Sequence, residues 1–96
     1  MTDIRLSPRA ISDLESIWDF TADRWDVDQA DRYVRNLYRV ITTLADMPEL
    51  GLNIAHIRSG YRKHATGAHL IFYRPKLDGI DVVRILHQSM DIDAHL

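Results

Sequence analysis

The run His69-Leu70-Ile71-Phe72-Tyr73-Arg74-Pro75-Lys76-Leu77-Asp78-Gly79-Ile80-Asp81-Val82-Val83-Arg84-Ile85-Leu86-His87 decides the fold. Two stretches rich in β-branched and aromatic residues, Ala68 to Arg74 and Ile80 to His87, flank Asp78-Gly79, a pair that favours a tight turn. They read as antiparallel strands. Alternation then assigns their faces: Ile80, Val82 and Leu86 point one way and Val83 and Ile85 the other, while Leu70 and Phe72 oppose Ile71 and Tyr73. Both faces are apolar, whereas an antiparallel sheet commonly leaves one face to water. This sheet therefore has to be covered twice.

Working outward, Gly60 precedes a further strand from Tyr61 to Thr66, and Gly67 marks its turn. The first half of the chain has another period. Ile4 and Leu6 flank Arg5 as in a short strand, and Ser7-Pro8 supplies a helix cap followed by proline at the first helical position. Ile11, Leu14, Ile17 or Trp18, Thr21 and Trp25 then recur at helical steps, until Asp26-Val27-Asp28 interrupts them. A second helical pattern runs through Ala30, Tyr33 or Val34, Leu37, Ile41 and Leu44 and stops at Pro48. Trp18, Trp25, Tyr33 and Tyr38 sit at helical spacing and are expected to pack in this hairpin. At the other end, Asp91 to Leu96 reads as a last helical turn capped by Asp91. The expected fold is α+β, β-α-α-β-β-β, an antiparallel sheet packed on a helical hairpin, with residues 1–96 forming one domain. The hairpin covers one face of the sheet, which leaves the tail, a second copy of the chain or a foreign segment to cover the other.

Composition narrows the function classes. The 96 residues are 46% hydrophobic with a formal charge of -2, and they lack both a membrane-length apolar run and a basic-then-apolar leader at the N-terminus, so a cytoplasmic protein is expected. No cysteine is present, which excludes thiol nucleophiles and thiolate metal sites. The charge is unevenly spread. Residues 1 to 48 hold six arginines and nine acids, whereas His56 to Arg74 holds Arg58, Arg62, Lys63 and Arg74 with no acid. Such a segment attracts phosphate or an acidic protein surface. His56, His64 and His69 have neither the spacing nor the carboxylate company of a metal site, and no metal or cofactor is expected.

The opening Leu6-Ser7-Pro8-Arg9-Ala10 with Asp13-Leu14 and Ile17-Trp18, the stop Pro48-Glu49-Leu50-Gly51, the strand His69 to Arg74 and the ending Val83 to Gln88 before Met90-Asp91 and His95-Leu96 resemble ParE-type toxins of the RelE/ParE superfamily. The resemblance spans nearly the whole chain, from about Leu6 to Leu96. It implies a toxin of a plasmid-stabilising toxin-antitoxin system, encoded beside a ParD-like antitoxin whose C-terminal part wraps it as an extended and helical segment. The complex would bind operator DNA through the antitoxin. The ParE branch inhibits DNA gyrase by binding, whereas the RelE branch cleaves messenger RNA on the ribosome. On this reading Leu70, Phe72, Arg74 and Arg84 are expected to meet the antitoxin, and Arg58, Arg62, Met90, Asp91, His95 and Leu96 the target.

Metal-free RNA cleavage needs a base, an acid and cations around the phosphorus. Arg62, Arg74, Arg84 and His87 are the available set, with Glu49, Lys63 and Tyr73 as weaker additions. On a regular strand, however, Arg84 and His87 face opposite sides, and lysines to hold RNA are scarce, being only Lys63 and Lys76. A toxin without catalytic residues is therefore expected, with RNA cleavage as the alternative. Arg84, a charge inside an apolar strand, is expected either to pair with an acid such as Asp13 or Glu15 or to mark a binding face.

Overall fold

Ser7 fixes how the helices meet the sheet. Its backbone is extended and its Oγ accepts the N–H of Ala10 (3.0 Å), which caps helix α1 (Pro8–Arg24), while the same hydroxyl donates to the carbonyl of Val83 (2.7 Å). One side chain thus starts the helix and ties its first turn to a strand. The computed structural model describes residues 2–96. In it α1 ends at Trp25, and Asp26 at once caps helix α2 (Val27–Asp46) by accepting from Gln29 N (2.7 Å). A hairpin turn this short forces the two helices into antiparallel contact. After α2, Pro48 opens a single 3-10 turn, Pro48–Leu50.

The sheet has five strands in the order β1 (Asp3–Leu6), β5 (Gly79–His87), β4 (His69–Lys76), β3 (Arg62–Thr66), β2 (Leu52–Asn53). The expected elements are present, with a two-residue edge strand in addition, and a short helix α3 (Ile92–His95) capped by Asp91 closes the tail. The sheet is mixed: β1 runs parallel to β5, with Asp3 opposite Gly79 and Leu6 opposite Val82. Parallel neighbours need a long crossover, and here the whole chain between them supplies it. Gly79 lets the strands approach, since a Cβ at that position would lie 1.7 Å from the carbonyl oxygen of Asp3.

The β4–β5 hairpin departs from simple alternation. Tyr73 pairs with Val82 but Phe72 pairs with Arg84, so Val83 is an extra residue in β5. The faces are shifted accordingly. Ile85 joins Ile80 and Val82 against the helices, with Ile71, Tyr73, Leu14, Ile17, Leu37, Ile41 and Leu44, while Leu86 crosses to the far side with Phe72. That corrects the expected grouping of Leu86 with Ile80 and Val82. The bulge sits where β1 has ended, and α1 holds it: Asp13 accepts the N–H of Ile85 (2.9 Å) and both Nε and Nη2 of Arg84 (2.9 and 2.8 Å). Of the two roles open to Arg84, the ion pair with Asp13 is the one formed.

The chain covers its own second sheet face in part. Ile54 and Tyr61 from the segment after β2, together with Ile92 and Leu96 from the tail, pack on Phe72, Leu86 and Leu70. Arg58 donates to the carbonyl of Leu96 (2.9 Å) and Arg84 to that of His95 (3.0 Å), so two arginines hold the tail down. Among the described residues, no helix is long and apolar enough to cross a membrane.

Candidate functional site

Where α1 ends, α2 begins and β4 and β5 meet, the hairpin and the sheet diverge around a groove of 540 Å³. Its apolar lining includes Ile17, Phe20, Trp25 and Met90. Three of these are poorly covered: Phe20 and Trp25 are each 67% exposed, and Met90 is 45% exposed. Trp25 corrects the expectation that it packs in the hairpin. It lies one residue past α1, where the chain reverses, and the core stripe of Leu14 and Ile17 does not extend to it. Large aromatic side chains grouped on a rim are the usual anchors of protein interfaces. Asp19, Asp23, Asp26 and Asp28, all exposed, surround Phe20 and Trp25 in the sequence, against Arg24 alone.

The rest of the lining is mostly polar and, among the described residues, holds no Asp, Glu, Lys or Arg. Ala68 N–H donates to Tyr33 Oη (3.1 Å), and the same oxygen is hydrogen-bonded to His69 Nδ1 (2.7 Å). The His69 ring stands edge-on to His87, with centroids 5.4 Å apart, and His87 Nδ1 in turn meets Ser89 Oγ (2.7 Å) and accepts from Ser89 N–H (3.1 Å). The two histidines are cross-strand partners. Burial, and next the neighbouring His87, hold His69 below its ordinary value of 6.5, with Asp13 acting in the opposite sense. Unfolded His69 takes up its proton near pH 6.5 and the folded residue only at lower pH. Stability present above that pH is thus lost as the pH falls through the lowered value. Urea midpoints between pH 7.5 and 5.5 should decline in the wild type and less steeply in His69→Gln; equal slopes would assign the loss to other groups.

The four residues of the RNA-cleaving alternative do not converge. Arg62 donates to the carbonyl of Gly51 (2.6 Å) and fastens the loop after α2, and Arg74 pairs with Asp81 (3.1 Å). Arg84 belongs to the Asp13 clamp. Only His87 lines the groove, opposite His69, and Arg74 lies five residues further along β4, roughly 17 Å away. Among the weaker additions, Tyr73 is buried, with its hydroxyl donating to Pro48 O (2.7 Å) and accepting from Gly51 N–H (2.9 Å), while Glu49 is exposed and Lys63 lies on β3 opposite Phe72. Burial pushes the Tyr73 hydroxyl up, against the Gly51 hydrogen bond and Arg62, and keeps it a donor. Among the described residues, no three of His, Asp and Glu stand close enough together to hold a metal ion.

The expected partner contacts divide in the same way. Phe72 is 0% exposed beneath the protein's own tail cluster and Leu70 is half-buried there, so neither is open to an antitoxin while the tail is in place. Arg84 is bound to Asp13, and Arg74 remains partly exposed beside Asp81. Of the residues expected at the target, Arg58, Asp91, His95 and Leu96 do gather at the tail, where Asp91 accepts from Asp93 N–H (3.1 Å) as the cap of α3. Met90 turns to the groove and Arg62 to the loop after α2. Of the groove lining, sequence reasoning assigned only His87 and Met90 to a site; Phe20, Trp25, Tyr33 and His69 are the principal residues it missed. Phe20 falls outside the helical core stripe, and that was the one signal available.

Comparison with known proteins gives a consistent result. The family model of the ParE toxin of type II toxin-antitoxin system, parDE, matches residues 4–92. Toxin ParE1 of Mycobacterium tuberculosis (strain H37Rv) is 52% identical over 92 residues, covering 95% of this chain and 94% of that protein. Toxin ParE1 of Caulobacter vibrioides is 43% identical over 96 residues, covering 100% and 99%. Among solved structures, one described as the chromosomal ParDE TA system from P. aeruginosa has a chain that superposes with a TM-score of 0.76. The match covers 91% of this chain and 96% of that one at 19% identity, a likeness of fold.

Proposed function

The chain belongs to the ParE toxin family of type II toxin-antitoxin systems, and from that premise we propose that it inhibits DNA gyrase by binding, without catalysis, and is neutralised by a ParD-like antitoxin. The observation that carries the non-catalytic reading is the dispersal of Arg62, Arg74, Arg84 and His87. Three of the four are tied to a backbone carbonyl or a carboxylate, and none of the arginines shares the groove with His87. A phosphorane intermediate needs a cation and an acid/base within hydrogen-bond reach of one atom, and this arrangement does not provide them.

Family membership supports an antitoxin partner, and the exposed Phe20, Trp25 and Met90 give it a surface. An apolar segment laid into the groove would bury the three largest open side chains there. The tail, with Arg58 and α3, is a separate surface that stays available to the target. Operator binding then rests with the antitoxin.

Supercoiling by purified gyrase tests the reading. The folded wild type should inhibit it, and an Arg74→Gln/His87→Gln variant, which removes two candidate chemical groups and leaves the Arg62 loop clamp and the Asp13–Arg84 pair in place, should inhibit it equally. A ribonuclease would instead lose about 100-fold to 10,000-fold in cleavage and would never affect supercoiling. The gyrase reading fails if wild type well in excess of gyrase leaves supercoiling untouched.

A further inference from the structure

The groove contains a chemistry that an apolar docking site does not need. Its lining includes no Asp, Glu, Lys or Arg among the described residues, yet two imidazoles stand edge-on in its wall, fixed by Tyr33 on one side and Ser89 on the other. Both rings use Nδ1 in these bonds. The pair is the only part of the lining able to acquire charge between pH 5 and 8.

We propose that occupancy of the groove is proton-linked: an antitoxin segment presenting an uncharged apolar face closes over the His69–His87 pair only while both rings are neutral, and acidification opens the complex. This rests on the antitoxin reading above for the occupant and on the groove alone for the linkage. Covering an imidazolium with apolar side chains removes its water and supplies no counter-charge, so the bound form excludes the proton.

The surroundings set the sign. α1 presents Ser16 and Thr21 to the groove, and its Asp13, the carboxylate that acts on His69, is already paired with Arg84. From α2 come Tyr33 and Gln29, and Asp31 is occupied by the indole N–H of Trp18 (2.9 Å). β3 places Thr66 opposite His69, and the turn after β5 contributes Ser89. Among the described residues, no free carboxylate lines the site to stabilise the charged pair. An acidic occupant, which would reverse the sign, is disfavoured by Asp23, which stands beside Phe20 and Trp25, and by the exposed Asp19, Asp26 and Asp28 that flank those two in the sequence. A segment whose apolar face is flanked by basic residues fits both features.

The test uses the whole protein with an uncharged aromatic probe, N-phenyl-1-naphthylamine, whose fluorescence rises in apolar sites. Between pH 7.5 and 5.5 its dissociation constant should rise several-fold, toward the roughly tenfold ceiling that one proton excluded at an unshifted histidine would set. A His69→Gln/His87→Gln variant should bind with no such slope. Calorimetry of the wild type in two buffers of different ionisation enthalpy should show protons released near pH 6, a readout that does not depend on the variant folding. A flat wild-type profile, an equal slope in the variant, or no proton release overturns the linkage. Unchanged binding by Phe20→Ser and Trp25→Ser, or no binding at all, overturns the groove as an apolar site. If the linkage holds with the probe but a purified ParD-like antitoxin protects neither Phe20 nor Trp25 from solvent, the antitoxin reading fails and the linkage stands.

Discussion

Replacing Asp13 by alanine is expected to cost about 3 kcal/mol of folding stability, the low end of the range for removing one partner of a buried hydrogen-bonded ion pair, because this pair is partly buried. Asp13 and Arg84 are 14% and 15% exposed, and the carboxylate accepts three bonds, two from the guanidinium and one from Ile85 N–H. Hydrogen bonding to Asp13 pushes the Arg84 guanidinium further up, and even without that partner a guanidinium stays protonated, so the charge persists when Asp13 is removed. The variant therefore keeps a half-buried cation and a strand N–H with no acceptor. Asp13→Asn should cost less, because its amide oxygen can still serve Ile85. The Asp13→Ala/Arg84→Ala double variant should cost less than the sum of the single changes, since the orphaned cation is gone. Urea denaturation measures all four proteins. A loss below about 1 kcal/mol in Asp13→Ala would make the pair an ordinary surface contact.

The bulge that this clamp holds is also what the sequence conceals. Helix starts at Ser7-Pro8 and Asp26 and the stop at Pro48 follow from local chemistry, and each lies where the residues indicate. The β4–β5 turn, in contrast, falls on Leu77-Asp78 and not on the expected Asp78-Gly79, because Gly79 is already paired with Lys76 as the first residue of β5. Strand faces depend on a count, and one unseen residue changes the count. Without the bulge, the register that pairs Lys76 with Gly79 would set His69 opposite Leu86; Val83 moves the partner to His87. The histidine pair, and with it the polar part of the groove, thus depends on a backbone irregularity stabilised by Ser7 and Asp13 from a distant helix. Nothing near Val83 announces it. The parallel edge strand is concealed for a similar reason, since Asp3 and Gly79 meet across nearly the whole chain. Phe20 is different, because an aromatic residue outside the helical stripe was readable as a surface anchor.

Phe72→Ala is expected to cost about 3–5 kcal/mol, the range for truncating a buried phenylalanine. Its ring is fully buried between Leu86, Ile54 and the tail side chains, so truncation leaves a void that Ile92 and Leu96 can fill only by moving α3. Leu70, half-buried at the edge of the same cluster, should cost about 1–2 kcal/mol when truncated, in keeping with the smaller apolar area withdrawn from water. The contrast bears on which surface an antitoxin uses. A ligand that binds only the folded state raises stability by mass action, and a groove-bound antitoxin leaves the tail cluster as it is. It should therefore raise the melting temperature of wild type and Phe72→Ala in parallel. A partner that lifts the tail and replaces it over Phe72 would give a different result, because Phe72→Ala would lose part of the contact as well as part of the core. Deleting residues 91–96 sharpens the choice, since it uncovers Leu86 and Phe72 and leaves Ile17, Phe20, Trp25 and His69 in the groove untouched. Undiminished antitoxin stabilisation of the truncated protein, with supercoiling inhibition lost, would place the antitoxin in the groove and gyrase at the tail. Antitoxin stabilisation that falls with both Phe72→Ala and the truncation would place the antitoxin on the far face of the sheet.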